Sequence, residues 1–89
     1  MNGNYTLHTD GGHGWLEVPV VELLELRIAG AITPYSMLSR DGKTAYLEED
    51  RDLSTYARAK GWKPDGTAPI KEKYYPGGCP IRNLPRYHP

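Results

Sequence analysis

Gly14-Trp15-Leu16-Glu17-Val18-Pro19-Val20-Val21-Glu22-Leu23-Leu24-Glu25-Leu26-Arg27-Ile28-Ala29-Gly30 changes period at its proline. Before Pro19 the run reads as a β-strand over residues 15–18. After it, Val20, Val21, Leu23, Leu24, Leu26 and Ile28 fall mostly on one helical face, with Glu22 and Glu25 outside it. Proline suits the first helical position, where its missing N–H is no loss. Early glutamates complement the positive end of the helix dipole. The spacing therefore predicts a helix over residues 19–29, stopped by Gly30.

Working outward, residues 5–8 alternate as a short strand does, and Asp10-Gly11-Gly12 reads as a turn. On the other side Pro34 breaks the helical period. Residues 35–38 and 44–47 read as strands joined through Arg40-Asp41-Gly42-Lys43, because Asp-Gly between apolar-bearing runs is a strong hairpin signal. Tyr35 and Tyr46 are then candidates for cross-strand packing. A second helix is expected over residues 53–60, capped by Asp50 or Asp52, with Gly61 as its left-handed C-terminal residue and Trp62 folded back behind it. The fold class is α+β: a small antiparallel sheet of about three strands, with two helices packed on one face. The expected core is Leu16, Val18, Val21, Leu24, Ile28, Ile32, Tyr46, Leu53, Tyr56 and Trp62.

Past Trp62 the texture loosens, and five of the eight prolines lie at or beyond Pro69. A turn is expected at residues 63–66, with weak strand signals near residues 70–74 and 81–84. Residues 1–62 thus read as a compact core and residues 63–89 as a basic, aromatic, Pro/Gly-rich arm of the same single domain. Tyr74, Ile81, Leu84 and Tyr87 are its expected anchors, and disorder of the arm is the competing reading.

Composition removes several function classes. The 89 residues give room for one domain, and with hydrophobic residues at 38% and no Phe, Tyr and Trp must supply bulk to the core. Eleven basic residues balance eleven acidic ones, which argues against a generic nucleic-acid binder and against an acidic DNA mimic. The charge is nonetheless polarised: residues 1–52 carry a net −5 and residues 53–89 a net +5. Either the basic arm packs across its own acidic half, or one pole docks a partner. Cys79 is the single cysteine, so no internal disulfide forms and a reducing cytoplasm is the expected compartment. Residues 1–5 lack the features of a signal peptide, and the apolar stretch from residue 18 to 32 is interrupted by Glu22, Glu25 and Arg27. No membrane association is expected.

Three constellations are chemically suggestive. His8-x-Asp10-x-x-His13 offers two imidazoles and a carboxylate, weak metal candidates that would need Cys79 or His88 to complete a structural site. The alternative is a tight reversal in which Asp10 caps backbone N–H groups. Glu48-Glu49-Asp50-Arg51-Asp52 packs four carboxylates into five residues. Brought against the histidine loop, these carboxylates would suit a metal-dependent hydrolase; otherwise they are helix caps and a partner-binding patch. In the arm, Lys71, Lys73, Tyr74, Tyr75, Arg82, Arg86 and Tyr87 interleave charge with rings, as single-stranded nucleic acid binders do. Cys79, between Gly78 and Pro80, reads as an exposed, unactivated thiol.

Four segments carry a resemblance. His8-Thr9-Asp10-Gly11-Gly12-His13-Gly14-Trp15-Leu16-Glu17-Val18, Ile32-Thr33-Pro34-Tyr35-Ser36, Ala45-Tyr46-Leu47-Glu48-Glu49-Asp50 and Ile81-Arg82-Asn83-Leu84-Pro85 resemble a family of short proteins carried by bacteriophages, plasmids and related mobile elements. The resemblance implies an origin and carries over no catalytic or binding residue. It makes the leading expectation a non-enzymatic protein-binding module, of the kind that includes anti-CRISPR and other anti-defence proteins, acting in the cytoplasm of a bacterial host without a cofactor. The expected partner is a host or phage protein, bound by a monomer or homodimer through Glu48, Glu49, Asp50, Asp52, Tyr74, Tyr75, Arg82 and Tyr87. Nucleic-acid binding and metal-dependent hydrolysis are the alternatives.

Overall fold

The computed structural model describes residues 5–64 and 66–88; Asp65, in the expected turn at residues 63–66, lies outside them. Five strands form one mixed sheet: β1 (Tyr5–Thr9), β2 (Gly14–Pro19), β3 (Met37–Leu38), β4 (Thr44–Glu48) and β5 (Ile70–Tyr74). Their order is β3-β4-β2-β1-β5, antiparallel throughout except for the parallel pair β1–β5. The sheet is thus larger than the three strands expected, because β1 and the arm's β5 extend it beyond β2. On the outer edge, β5 exposes Lys71 and Lys73, the charged guard that discourages pairing with another chain.

Strand alternation splits the interior between two faces. Leu7, Leu16, Val18, Ala45 and Leu47 point to one, where helix α1 (Val20–Glu25) supplies Leu23 and helix α2 (Asp52–Lys60) supplies Tyr56. The opposite face carries Trp15, with Met37 and Tyr46 partly buried beside it; Cys79, Ile81 and Leu84 of the arm cover them. Each fully buried aliphatic side chain contributes about 1.5–3 kcal/mol. The arm is a strap. It pairs as β5 at one sheet edge, crosses the second face through a 3-10 turn at Pro80–Asn83, and closes over β3. There Leu38 N–H donates to the Pro85 carbonyl at 2.8 Å and Tyr87 N–H to that of Ser36 at 2.8 Å. Residues 81–84 are therefore a 3-10 turn rather than a strand.

Helix α1 departs most from expectation. It ends after Glu25 with Arg27 at φ 61°, while Ile28 N–H reaches the Leu23 carbonyl and Arg27 N–H that of Leu24. This is a glycine-type helix stop made without glycine, so the sequence offered no punctuation for it. With fewer than two turns, only the stripe of Val20, Leu23 and Leu26 faces the sheet. Val21 and Leu24, expected in the core, are 58% and 60% exposed, and Leu23 is the buried residue instead. Glu22, expected outside, accepts hydrogen bonds from Tyr5 Oη at 3.0 Å and Tyr56 Oη at 2.5 Å and pairs with Lys60.

The C-terminal end of α2 follows the sequence: Gly61 is left-handed at φ 74°, and Trp62 N–H returns to the Ala57 carbonyl at 2.9 Å. Its start does not, because neither Asp50 nor Asp52 caps it. Asp52 is 1% exposed and accepts hydrogen bonds from Thr33 Oγ1 at 2.7 Å and Ser36 Oγ at 2.5 Å. It ties the loop before β3 to α2. The hairpin of β3 and β4 is present, and its five-residue connection, residues 39–43, is braced by Asp41, which accepts from Ser39 Oγ at 2.6 Å. Tyr35 and Tyr46 do not meet across it: Met37 faces Tyr46, and Tyr35 sits in the preceding turn beneath Arg51.

Candidate functional site

At the end of the sheet where β2 begins and β4 finishes, a cleft of about 500 Å³ opens. Trp15 and Glu48 are cross-strand partners at its floor, and His13 enters from the β1–β2 turn. Tyr35 and Met37 come from the segment around β3, Asp50 and Arg51 from the link to α2, and Arg82 and Arg86 from the strap. Each of the four segments that carry the resemblance thus contributes a side chain to this one concavity.

Asp10 builds the turn. One carboxylate oxygen accepts the Gly12 and His13 N–H groups at 3.2 Å, and the other accepts Cys79 N–H at 3.0 Å. Arg82 closes on both oxygens, Nε to Oδ2 at 2.5 Å and Nη2 to Oδ1 at 2.9 Å. Those bonds, the Arg82 pair foremost, hold the Asp10 carboxyl far below the ordinary carboxylate range. Both carboxylate oxygens are thus occupied by donors. The clamp also spans the charge polarity of the sequence, since it joins the acidic half to the basic arm.

His8 lies apart from this cleft. It is buried on the second sheet face, with Nδ1 2.8 Å from Tyr75 Oη and Nε2 2.8 Å from Glu17 Oε1. The set His8, Asp10 and His13 is therefore corrected as a ligand cage: two of its members have other partners. His13 instead approaches the acidic run, its Nδ1 3.4 Å from Glu48 Oε2. Glu48 is buried, and its Oε1 accepts Asp50 N–H at 2.9 Å. Ligand atoms of His13, Glu48 and Asp50 all lie within 4.8 Å of one another. Next to this cluster Gly14 leaves room for Glu49: a Cβ there would stand 2.7 Å from Glu49 Oε1.

Of the other anticipated partner-binding residues, Glu49, Asp50, Tyr74 and Arg82 are exposed and Tyr75 is half-buried. Tyr87 is 3% exposed and Asp52 1%, so both are corrected from surface anchors to interior groups. Tyr87 packs in the helix-side core and donates its hydroxyl to the Ala29 carbonyl at 2.7 Å. Tyr74, expected to anchor the arm, is 60% exposed beside Glu49 and Glu72. Cys79, expected to be exposed, is buried at 2%, and burial pushes its thiol pKa up. The arm's rings and cations do not form one stacking platform, because Tyr87 is inside, Tyr75 serves His8 and Arg82 serves Asp10.

Trp15, Tyr35, Arg51 and Met37 were not singled out from the sequence as site residues. Three of them belong to ring–cation stacks that only the fold creates: Arg51 lies 4.0 Å from the Tyr35 ring centre and Arg82 5.4 Å from that of Trp15. Trp15 is 3% exposed, and its Nε1–H has no hydrogen-bond partner among the described residues. Comparison with protein-family models, curated proteins and solved structures found no match to this chain. No helix among the described residues is long and apolar enough to cross a membrane.

Proposed function

We propose that this chain is a small, non-enzymatic binding module of a mobile element that docks a host or competing-phage protein in the cleft at the sheet end, to interfere with a defence system. The observation that carries the reading is the pairing of rings and arginines there: Trp15 with Arg82, Tyr35 with Arg51, and Arg86 on the same wall. Tyr and Arg are prominent in interface hot spots. Tyr35, Arg51 and Arg86 are exposed and free to bury area against a partner, with Trp15 as the rigid floor beneath Arg82. The stacks hold both guanidinium groups in place before a partner arrives, which reduces the ordering cost of association. Glu48 and Asp50 beside them give the cleft both signs of charge, which favours an oriented partner.

Two further observations support a binder over an enzyme. His8 is engaged by Glu17 and Tyr75 and His13 faces Glu48 rather than a nucleophile, and the Cys79 thiol is buried. The mobile-element origin rests on the four motif segments alone.

The test is affinity capture from a bacterial host lysate with mass spectrometry, comparing the wild type with an Arg51→Glu/Arg86→Glu double variant. One stoichiometric protein retained by the wild type and lost by the variant is the expected result. Equal capture by both would overturn the cleft as docking site. Truncation after Trp62 is no substitute, because it removes β5 and the strap. A salt-sensitive affinity for single-stranded oligonucleotide would transfer the same cleft to nucleic acid.

A further inference from the structure

We propose that His13, Glu48 and Asp50 form a binding site for one divalent transition-metal ion, of the zinc class, with its remaining coordination positions open to the cleft. The inference is independent of which partner docks there. Metal–ligand bonds of about 2.0–2.2 Å at tetrahedral angles put ligand atoms roughly 3.4 Å apart. His13 Nδ1 and Glu48 Oε2 stand 3.4 Å apart, long for a hydrogen bond and suited to sharing an ion. Asp50 offers its carboxylate within 4.8 Å of both.

The surroundings orient these groups as metal ligands need. Asp50 N–H holds Glu48 Oε1, leaving Oε2 toward His13. Asp10 fixes the His13 backbone, and the Trp15 ring lies against the imidazole with centroids 5.8 Å apart. The arginines of the cleft are used elsewhere: Arg82 by Asp10, Arg51 by the Tyr35 ring, Arg86 by the Pro34 carbonyl at 3.0 Å.

A second, separate observation points to a ligand. The Trp15 Nε1–H is a buried donor without a partner among the described residues, on a side chain that lines this same cleft. A buried N–H of that kind costs free energy until it meets an acceptor. One imidazole with two carboxylates selects a transition ion over magnesium or calcium, which prefer all-oxygen sites.

Isothermal titration of the chelator-stripped full chain with zinc chloride tests this. One ion per chain is expected. His13→Ala and Asp50→Asn should each weaken binding by at least the roughly tenfold to hundredfold that losing an outer partner of a ligand costs. Glu25→Gln, a distant exposed carboxylate, should leave it unchanged. Both tested side chains are exposed, so circular dichroism of the variants should match the wild type. Cobalt(II) in place of zinc should give a visible ligand-field band that is lost in His13→Ala. No zinc uptake by the wild type, or uptake that survives both substitutions, overturns the site.

Discussion

Two polar clusters on this small sheet have opposite characters. Around Glu22, Tyr5, Tyr56 and Lys60 converge on one carboxylate, and the Tyr5, Tyr56 and Trp62 rings meet edge to face about it, with centroids 5.2–5.8 Å apart. Around residues 48–50, carboxylates crowd together and open onto a cleft. The surroundings of the two carboxyl groups mark the difference. Burial alone would raise the Glu22 pKa, but the Lys60 ion pair and the two tyrosine hydroxyls outweigh it and the net shift is downward. At Glu49, burial and neighbouring carboxylates act together and the shift is upward. The first cluster closes a fold; the second holds charge at a cost that ligand binding could recover.

The largest effect that would break this comparison lies beneath the Glu22 cluster. Leu23→Ala should cost about 2–5 kcal/mol in urea unfolding, because Leu23 is fully buried between α1 and the sheet. Leu24→Ala, one residue on and 60% exposed, should fall within about 0.5 kcal/mol of the wild type. A Leu24 loss equal to that of Leu23 would mean that α1 is rotated and Glu22 does not face Tyr56.

Next in size is Glu22→Gln, which should cost about 1–3 kcal/mol at neutral pH as charge-assisted hydrogen bonds are lost. A carboxyl whose pKa is lowered by folding stabilises above its unfolded pKa, and that contribution disappears as pH falls through the folded value. Wild-type stability should therefore decline below about pH 4.3, and the variant's curve should lack that limb. Parallel curves for the two proteins would remove Glu22 from the cluster.

The same contrast explains what could be read from the sequence. The hairpin, the α2 stop at Gly61 and the two helices on one face follow from local signals: Asp41-Gly42, a glycine where φ must be positive, and 3.6-residue periodicity. The α1 stop was hidden because Arg27 takes a conformation usually given to glycine, and the helical face was misplaced with it. Asp52 read as a cap because caps are local, whereas its partners Thr33 and Ser36 lie far along the chain. Site residues behaved likewise. The acidic run and His13 were visible as residue types, but their meeting depends on the β1–β2 turn and the β2–β4 register. The Tyr35–Arg51 and Trp15–Arg82 stacks join segments with no shared local pattern.

The smallest effect sharpens the comparison most, because its sign is reversed. Glu49→Gln should stabilise the protein at neutral pH, by about 0.2–1 kcal/mol given that the side chain is exposed and its repulsions are screened. A carboxyl whose pKa is raised by folding favours the native state while protonated, below its unfolded pKa, and loses that contribution as pH rises through the folded value. Above that value the ionised Glu49 opposes folding, next to Asp50, Glu72 and Glu48. Glutamine removes the charge and keeps the shape. The gain over wild type should therefore shrink on acidification toward about pH 4 and also in added salt, where repulsion between exposed charges weakens. Melting curves of the two proteins across pH and ionic strength measure this directly. A destabilised Glu49→Gln at neutral pH would show that the carboxylate is held by a favourable partner and that the acidic end is as closed as the cluster around Glu22.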